Sequence, residues 1–433
     1  MKVIFLCGGN GKRMFPLKED KFLIKFLGQT LLEHQIRLAL EAGLSRLILV
    51  SNPKCLEKIT AVAGKFPAAT IEIAVQDKPL GIANALESAK HFLKEEFIIV
   101  NPNDLFGSTA YASLLQSHQQ DRTASHVLGY RVKNYFPGGY LMTNKNGDLT
   151  GIVEKPGAGN EPSDMVNVLL HSHPDPKALL NYISKIDTRK DDVYECALDA
   201  MCKEGNLIHV VPYSENWYAI KYPWNILDGV RYFLDRAKGY ISPTAQISSR
   251  AVIDGKVIIG DNVRVLENAV IRGPVYIGPR TVIGNSTLVR AYSHIGEDCV
   301  VGFGTEVKGS YINDSCWLHM NYIGDSIVGE YCNFGAGTIT ANWRFDEKTI
   351  SVKVNDDLVN TGMDKFGAII GDNCRTGINV SIMPGIKIGP NSIIGPSVCL
   401  TENIDSNTII ELSPSVRPER KKIHPNRNQE EKS

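Results

Sequence analysis

From residue 247 onward, every sixth position of the chain is aliphatic: Ile247, Ile253, Ile259, Val265, Ile271, Ile277, Ile283, Val289, Ile295, Val301 and Val307. A period of six matches neither the 3.6 of a helix nor the 2 of a strand. It predicts a parallel β-helix in which each short face turns one side chain to the axis and the chain bends between faces. Glycine follows at 260, 278, 284, 296 and 302, the corner positions where a positive φ is convenient. The phase is lost between 312 and 322 and returns at Val328 and Phe334. It breaks across 343–367, then resumes at Ile370, Thr376, Ile382, Ile388, Ile394 and Leu400. Asp346, Lys348, Lys353, Asp356, Asp357 and Lys365 fall in that second gap, which reads as an excursion from the coil.

Residues 1–225 carry a different pattern. Val3–Leu6, Leu47–Val50 and Phe97–Val100 are short apolar runs of buried-strand type, while Thr30–Ala42 places Leu31, Leu32, Ile36 and Leu40 at helical spacing and stops at Gly43. Strands alternating with helices predict an α/β domain with a parallel sheet covered on both sides. A helix through Ile226, Leu227, Val230, Phe233 and Leu234 connects it to the coil. The expected division is 1–225, a linker helix at 226–240, the coil at 241–412 and a loose, charged tail at 413–433.

Charge narrows the function classes. With 47 Lys+Arg against 47 Asp+Glu the net charge is zero, which argues against nucleic-acid or anionic-membrane partners. No apolar run approaches a membrane span. The nine cysteines are scattered singly and form no metal-ligand spacing with the histidines. A soluble protein of the reducing cytoplasm is expected.

The candidate chemistry starts after the first strand, at Gly8-Gly9-Asn10-Gly11-Lys12-Arg13-Met14. Glycines let backbone N–H groups approach phosphate oxygens, and Arg13 supplies charge. Glycine-rich turns are common, and no Lys-Ser/Thr pair makes this one a P-loop; the residues that follow single it out. Gly8-Gly9-x-Gly11-x-Arg13-Met14-x-Pro16-Leu17, then Lys21 and Gly28, resembles the signature of the sugar-1-phosphate nucleotidylyltransferases. The resemblance implies a Rossmann-like nucleotidyltransferase domain, with Arg13 and Lys21 catalytic and Gly8, Gly9, Gly11, Gln76 and Gly81 on the nucleotide. It further implies Gly139, Glu154, Lys155, Asn167 and Glu195 on the sugar, and Asp104 on Mg²⁺.

In the coil, the six-residue repeat resembles the hexapeptide family of left-handed parallel β-helices, whose members usually form trimers. His319-Met320-Asn321-Tyr322-Ile323-Gly324-Asp325 and Asn333-Phe334-Gly335-Ala336-Gly337-Thr338-Ile339-Thr340-Ala341-Asn342 resemble the acetyltransferase half of the bifunctional uridylyltransferase/acetyltransferases. That resemblance implies His319 as general base, Lys308, Tyr322 and Asn333 on the sugar phosphate and hydroxyls, Asn342 on the reacting groups, and Ala336 toward acetyl-CoA. A histidine suits the role because its ordinary pKa lies near the working pH.

Several departures from the family pattern stand out, the mildest being Ile82 in place of a frequent Thr after Leu80-Gly81 and Asp20 in place of the Pro before Lys21. Ala219 occupies the position of its second Mg²⁺-binding carboxylate, and Lys221 adds an ammonium two residues on. On a strand, 217, 219 and 221 share a face, so the wall would favour phosphate over Mg²⁺ unless Asn225 or substrate phosphates complete a metal shell. Leu169 follows Asn167 where a sugar-admitting glycine is usual, and the Lys308–His319 span is one residue short. The expected substrates are UTP or dTTP, a sugar 1-phosphate and acetyl-CoA, and the expected assembly is a homotrimer. The alternatives are a single-activity enzyme with a degenerate nucleotidyltransferase domain, or a non-catalytic nucleotide-sugar-binding scaffold.

Overall fold

The computed structural model describes residues 1–9, 11–188 and 192–413. The tail expected at 413–433 lies, apart from Ser413, outside the described residues. In the first domain the strands Thr70–Val75, Arg46–Ser51, Lys2–Cys7 and Phe97–Val100 are neighbours in that order, all parallel. The apolar runs of the last three are buried because helices cover them, while Thr70–Val75 is a part-exposed edge strand. Among these, Leu31–Glu41 is capped at Thr30, whose hydroxyl accepts from Glu33 N–H at 3.2 Å while the Glu33 carboxylate accepts from Thr30 N–H at 2.6 Å.

The sheet is mixed, where a parallel one was expected. Met165–His173 joins Phe97–Val100 antiparallel and then pairs with Ser125–Arg131 and Gly139–Thr143. Alternating strands and helices do not reveal that crossover, because direction is set by which edge a returning chain reaches.

The second domain is a three-sided, left-handed parallel β-helix of 8-, 9- and 8-stranded sheets. Ile259, Ile277 and Ile295 line the first face inside, Val265, Ile283 and Val301 the second, and Ile271, Val289 and Val307 the third. The interior row does not stop at 312. It continues through Ile312, Leu318, Ile323 and Val328 because three corners, at 308–310, 319–321 and 324–326, are one residue shorter. The excursion is a hairpin, Ser351–Val354 paired antiparallel with Asp357–Asn360.

The corner glycines have a different cause from the one expected. Gly278, Gly284, Gly296 and Gly302 do not take positive φ; Arg280, Ser286 and Asp298 do. A Cβ on Gly278 would stand 2.5 Å from the backbone of Gly296 in the next coil, and one on Gly302 would stand 2.5 Å from the Leu318 carbonyl. Stacked coils approach too closely there for any side chain.

Four of the nine cysteines are also structural. Cys299, Cys316, Cys332 and Cys374 stack in one interior row, each thiol donating to a carbonyl of the next coil at 3.1–3.2 Å. Thr281 and Ser392 extend the row with hydroxyls.

The outward row of the first face holds the two domains together. Tyr276, His294, Tyr311, Ile327 and Ile369 are consecutive rungs of one ladder. They are buried against Phe26 and Trp224 of the first domain and Ile226 and Leu227 of the connecting helix. The His294 ring stacks between Tyr276 and Tyr311, at 4.7 Å from each, and its Nε2 accepts from Leu27 N–H at 3.2 Å. Gly28 (φ +80°) is required beside it, since a Cβ would stand 2.7 Å from the Tyr276 hydroxyl. Sealing such a row contributes roughly 1.5–3 kcal/mol per large side chain.

Burial pushes His294 and His173 down to about 3 from an ordinary 6.5. Folding therefore favours their neutral forms. The stability this contributes is complete above pH 6.5 and is lost as pH falls toward 3, by at most about 1.4 kcal/mol per pH unit for each group. The thermal midpoint should fall between pH 7 and pH 4.5, and His294→Gln, which keeps an acceptor for Leu27, should make that fall shallower.

Candidate active sites

The strand Lys2–Cys7 delivers the glycine-rich loop to the open end of the sheet. Gly11 (φ 55°) turns it into a short 3-10 segment, Lys12–Met14, and Met14 anchors it in the interdomain cluster. Gly8 is fixed by sterics, because a Cβ would stand 1.9 Å from Gln76 Oε1. Gln76 cannot easily yield: its amide donates to the Gly81 carbonyl at 3.1 Å and to Asn84 Oδ1 at 2.9 Å.

Together these residues border a cavity of about 660 Å³. Gly8, Gly9, Gly11, Arg13, Lys21, Gln76 and Gly81, each singled out from the sequence, lie on its wall. Leu169 lines the same cavity. A second cavity of about 180 Å³ shares Gly81 and carries Glu154, Lys155 and Glu195. Lys155 belongs to both and pairs with the Glu154 carboxylate at 2.5 Å. Gly139 sits beside Glu154 and Asn167: a Cβ on it would lie 3.0 Å from Glu154 Oε2 and 3.5 Å from Asn167 Cβ.

Asp104 is buried, not on the cavity wall; Asn101 and Asn103 stand in front of it, and Asn101 Nδ2 donates to its carboxylate at 3.0 Å. In the short ladder between Asp104–Leu105 and Tyr218–Ala219, Ala219 is the residue opposite Asp104. Lys221 lies over the Phe136 ring at 3.6 Å and donates to the Pro137 carbonyl.

The charges here are tuned by burial. Desolvation raises Asp104 to about 6 against the opposing pull of Lys221, Asn101 and Lys21. It lowers Lys221 to about 7 and Lys21 to about 8, with Asp104 resisting both shifts. The donor set is one buried carboxylate flanked by two ammonium groups, and no group of three or more His, Cys, Asp or Glu suited to a metal occurs among the described residues. Asn225 cannot complete a shell: its Oδ1 accepts from the Lys221 and Tyr222 N–H groups and its Nδ2 donates to Asp228. Asp20, on the cavity wall, accepts from the Cys55 thiol at 2.6 Å. These residues do not fit a Mg²⁺ ion held by protein carboxylates.

In the coil, Lys308 and Asp325 stand on two of the shortened corners. Lys308, Tyr322 and Asn342 line a pocket of about 300 Å³ with Arg290, Trp343 and Lys365. Asp325, buried with φ 46°, pairs with the Lys308 ammonium and accepts from Asn342 Nδ2 at 2.5 Å. Asn342 Nδ2 also donates to the Tyr322 hydroxyl at 3.2 Å. Tyr322 lies across Gly324, where a Cβ would be 2.6 Å from that hydroxyl. His319, Asn333 and Ala336 are not on this pocket. His319 and Ala336 sit on corners between the second and third faces and Asn333 on the second face, with His319 and Asn333 exposed. One chain therefore carries the expected acetyl-transfer residues in two separate groups.

Several wall residues escaped the sequence reading. Arg290 had a signal, since it precedes Lys308 by 18 residues, one full coil. Lys365 is legible only as one of the charged residues of the excursion and Trp343 has no signal, because the hairpin brings the two together in an isolated bridge. Asn355, at the hairpin tip with φ 53°, reaches the wall of the first domain's large cavity. Val352, Val354 and Phe366 of the same excursion pack beside Met14 in the interdomain cluster.

Comparison with known proteins agrees with this layout. The nucleotidyl transferase family model matches residues 2–218, and the bacterial transferase hexapeptide model matches 256–291 and 367–402. The chain is 38% identical to the bifunctional protein GlmU of Methanococcus maripaludis, over 95% of this chain and 97% of that protein. It is 33% identical to the bifunctional protein GlmU of Methanocaldococcus jannaschii, with the same coverage. It is also 30% identical to a bifunctional sugar-1-phosphate nucleotidylyltransferase/acetyltransferase of Sulfurisphaera tokodaii, over 93% of this chain and 98% of that one.

Gly8→Ala forces Gln76 out of both its hydrogen bonds, so the dissociation constant for a nucleoside triphosphate in calorimetry should rise at least about tenfold. Asn355→Ala, on the wall contributed by the coil domain, should raise it a few-fold while leaving the thermal midpoint within about 2 °C of the parent.

Proposed function

Because the chain belongs to the bifunctional GlmU family of nucleotidyltransferase/acetyltransferases, we propose that it acetylates an amino-sugar 1-phosphate in the coil and couples the product to a nucleotide in the first domain. The substrates are glucosamine 1-phosphate, acetyl-CoA and UTP, and the products are CoA, pyrophosphate and UDP-N-acetylglucosamine. The observation that carries this reading is the convergence of Gly8, Gly9, Gly11, Arg13, Lys21, Gln76 and Gly81 on one cavity that adjoins Glu154, Lys155 and Glu195.

In the first domain the sugar phosphate oxygen attacks the α-phosphorus and pyrophosphate leaves. The reaction asks the protein for alignment and charge neutralisation more than for proton transfer. Arg13 and Lys21 meet the triphosphate, and Lys221 puts a third cation behind it. No step is assigned to a protein-held Mg²⁺, since Asp104 stands without a second carboxylate.

In the coil the sugar amine attacks the thioester carbonyl, a C–N bond forms and the C–S bond breaks. His319 takes the amine proton, while Lys308, Tyr322 and Asn342 hold the sugar phosphate. Exposed His319 on one corner and the acceptor pocket on another are consistent with a site completed between copies. The exposed apolar residues Phe303, Met320 and Ile378 near the His319 corner favour a homotrimer for the same reason. Nine free cysteines suit a reducing cytoplasm, and no helix among the described residues is long and apolar enough to cross a membrane.

A second reading is favoured by Ala219 and Lys221: a first domain that holds the nucleotide without turning it over. Pyrophosphate release from UTP and N-acetylglucosamine 1-phosphate, titrated with Mg²⁺, separates the two. Turnover lost on Lys21→Ala and reduced at least about tenfold by Lys221→Ala supports the enzyme. UTP binding without any pyrophosphate release supports the receptor. His319→Ala should abolish CoA release without altering the oligomer mass; unchanged release would remove His319 from the mechanism.

A further inference from the structure

Behind the sugar cavity lies a chain of polar side chains that the proposed reaction does not use. Ser125 Oγ is 3.0 Å from His173 Nδ1, His173 Nε2 is 2.8 Å from the Tyr194 hydroxyl, that hydroxyl is 2.7 Å from His171 Nδ1, and His171 Nε2 is 2.6 Å from Asn167 Oδ1. Ser125, His171, His173 and Tyr194 are all buried. Leaving a buried polar group without a partner is costly, and most such groups are hydrogen-bonded. A run of four such groups that ends on one partly exposed amide calls for an explanation beyond packing.

The direction of every bond follows from counting hydrogens. Burial holds both imidazoles neutral, His171 well below its ordinary value and His173 at about 3, so each ring carries one N–H. Asn167 Oδ1 accepts from His171 Nε2–H, which leaves His171 Nδ1 bare to accept from the Tyr194 hydroxyl. The Tyr194 oxygen then accepts from His173 Nε2–H, and His173 Nδ1 accepts from Ser125. The reverse polarity would need an acceptor for the Ser125 hydroxyl hydrogen, and the described residues supply only His173 to that oxygen. With Oδ1 engaged, Asn167 is left with its –NH₂ as the group it offers. Asn167 shares its strand face with Leu169, which lines the large cavity, while Tyr194 lines the smaller one beside Glu154 and Glu195.

We propose that Ser125, His173, Tyr194 and His171 form a positioning relay that fixes the Asn167 amide with its two donors toward the sugar. The pocket then selects a sugar 1-phosphate presenting an oxygen acceptor there, a hydroxyl or an acetamido carbonyl. This rests on the reading of the cavity as the sugar site. The relay residues act through Asn167, and none of them touches the reacting atoms.

Tyr194→Phe tests it in the full-length chain, since it deletes the central oxygen and both its hydrogen bonds while keeping the ring. The expected result is a KM for N-acetylglucosamine 1-phosphate, and a dissociation constant for UDP-N-acetylglucosamine, raised about tenfold, with kcat and UTP affinity within twofold. In the Asn167→Ala background, Tyr194→Phe should add nothing, because the group it positions is gone. Additive effects of the two substitutions would overturn the relay, as would equal losses of UTP and sugar-nucleotide affinity. So would a lowered thermal midpoint with sugar binding unchanged. If the parent protein releases no pyrophosphate, the transfer reading fails by itself, and the UDP-N-acetylglucosamine affinities of the four proteins in the cycle still decide the relay.

Discussion

One constraint organises the second domain: each face sends one aliphatic residue of every turn to the axis, with a second buried residue two positions before it, as Val257 stands before Ile259, Val275 before Ile277 and Cys299 before Val301. The residue between the two must point out. On the first face the outward row is aromatic and apolar from Tyr276 to Ile369, and the docked first domain and its connecting helix cover it. On the third face the outward and corner positions carry Arg290, Lys308, Tyr322 and Asn342. The same rule that builds the core therefore also decides which side of the coil binds the partner domain and which side is left for chemistry.

Docking on the first face has a consequence for the glycine-rich cavity. The hairpin leaves the coil between the third and first faces, so its base borders the pocket of Lys308, Tyr322 and Asn342 through Trp343 and Lys365 and its tip reaches the glycine-rich cavity through Asn355. Met14 of the glycine-rich loop and Val352 and Val354 of the hairpin share one apolar cluster. The loop is held from both domains, and the large cavity is a two-domain structure.

Electrostatics around Asp104 follow from the exchange of one residue across a two-residue ladder. Opposite Asp104, Ala219 leaves a single carboxylate in a desolvated place, and Lys221 lies close enough for each group to move the other's pKa. The result is a cationic wall that suits a polyphosphate. The buried histidines of the same domain are neutral for a related reason, since a charge with no compensating partner is too costly inside the sheet.

By itself, the sequence determined the coil, the division into two kinds of architecture and the glycines and cations of the glycine-rich cavity. Periods of six, and of strands alternating with helices, are local properties, and Gly8, Arg13, Lys21 and Gln76 are close to the strand ends that place them. It also showed that a carboxylate was missing at 219, although only the pairing of 219 with 104 gave that absence a location. The tertiary structure alone decided why the corner glycines are there, why the phase slips at 312, and that Lys365, Asn355 and the Ser125–Asn167 relay reach the pockets. Each of these depends on a contact between residues far apart in the chain, and the spacing of side chains along one segment carries no information about what another segment brings to its surface.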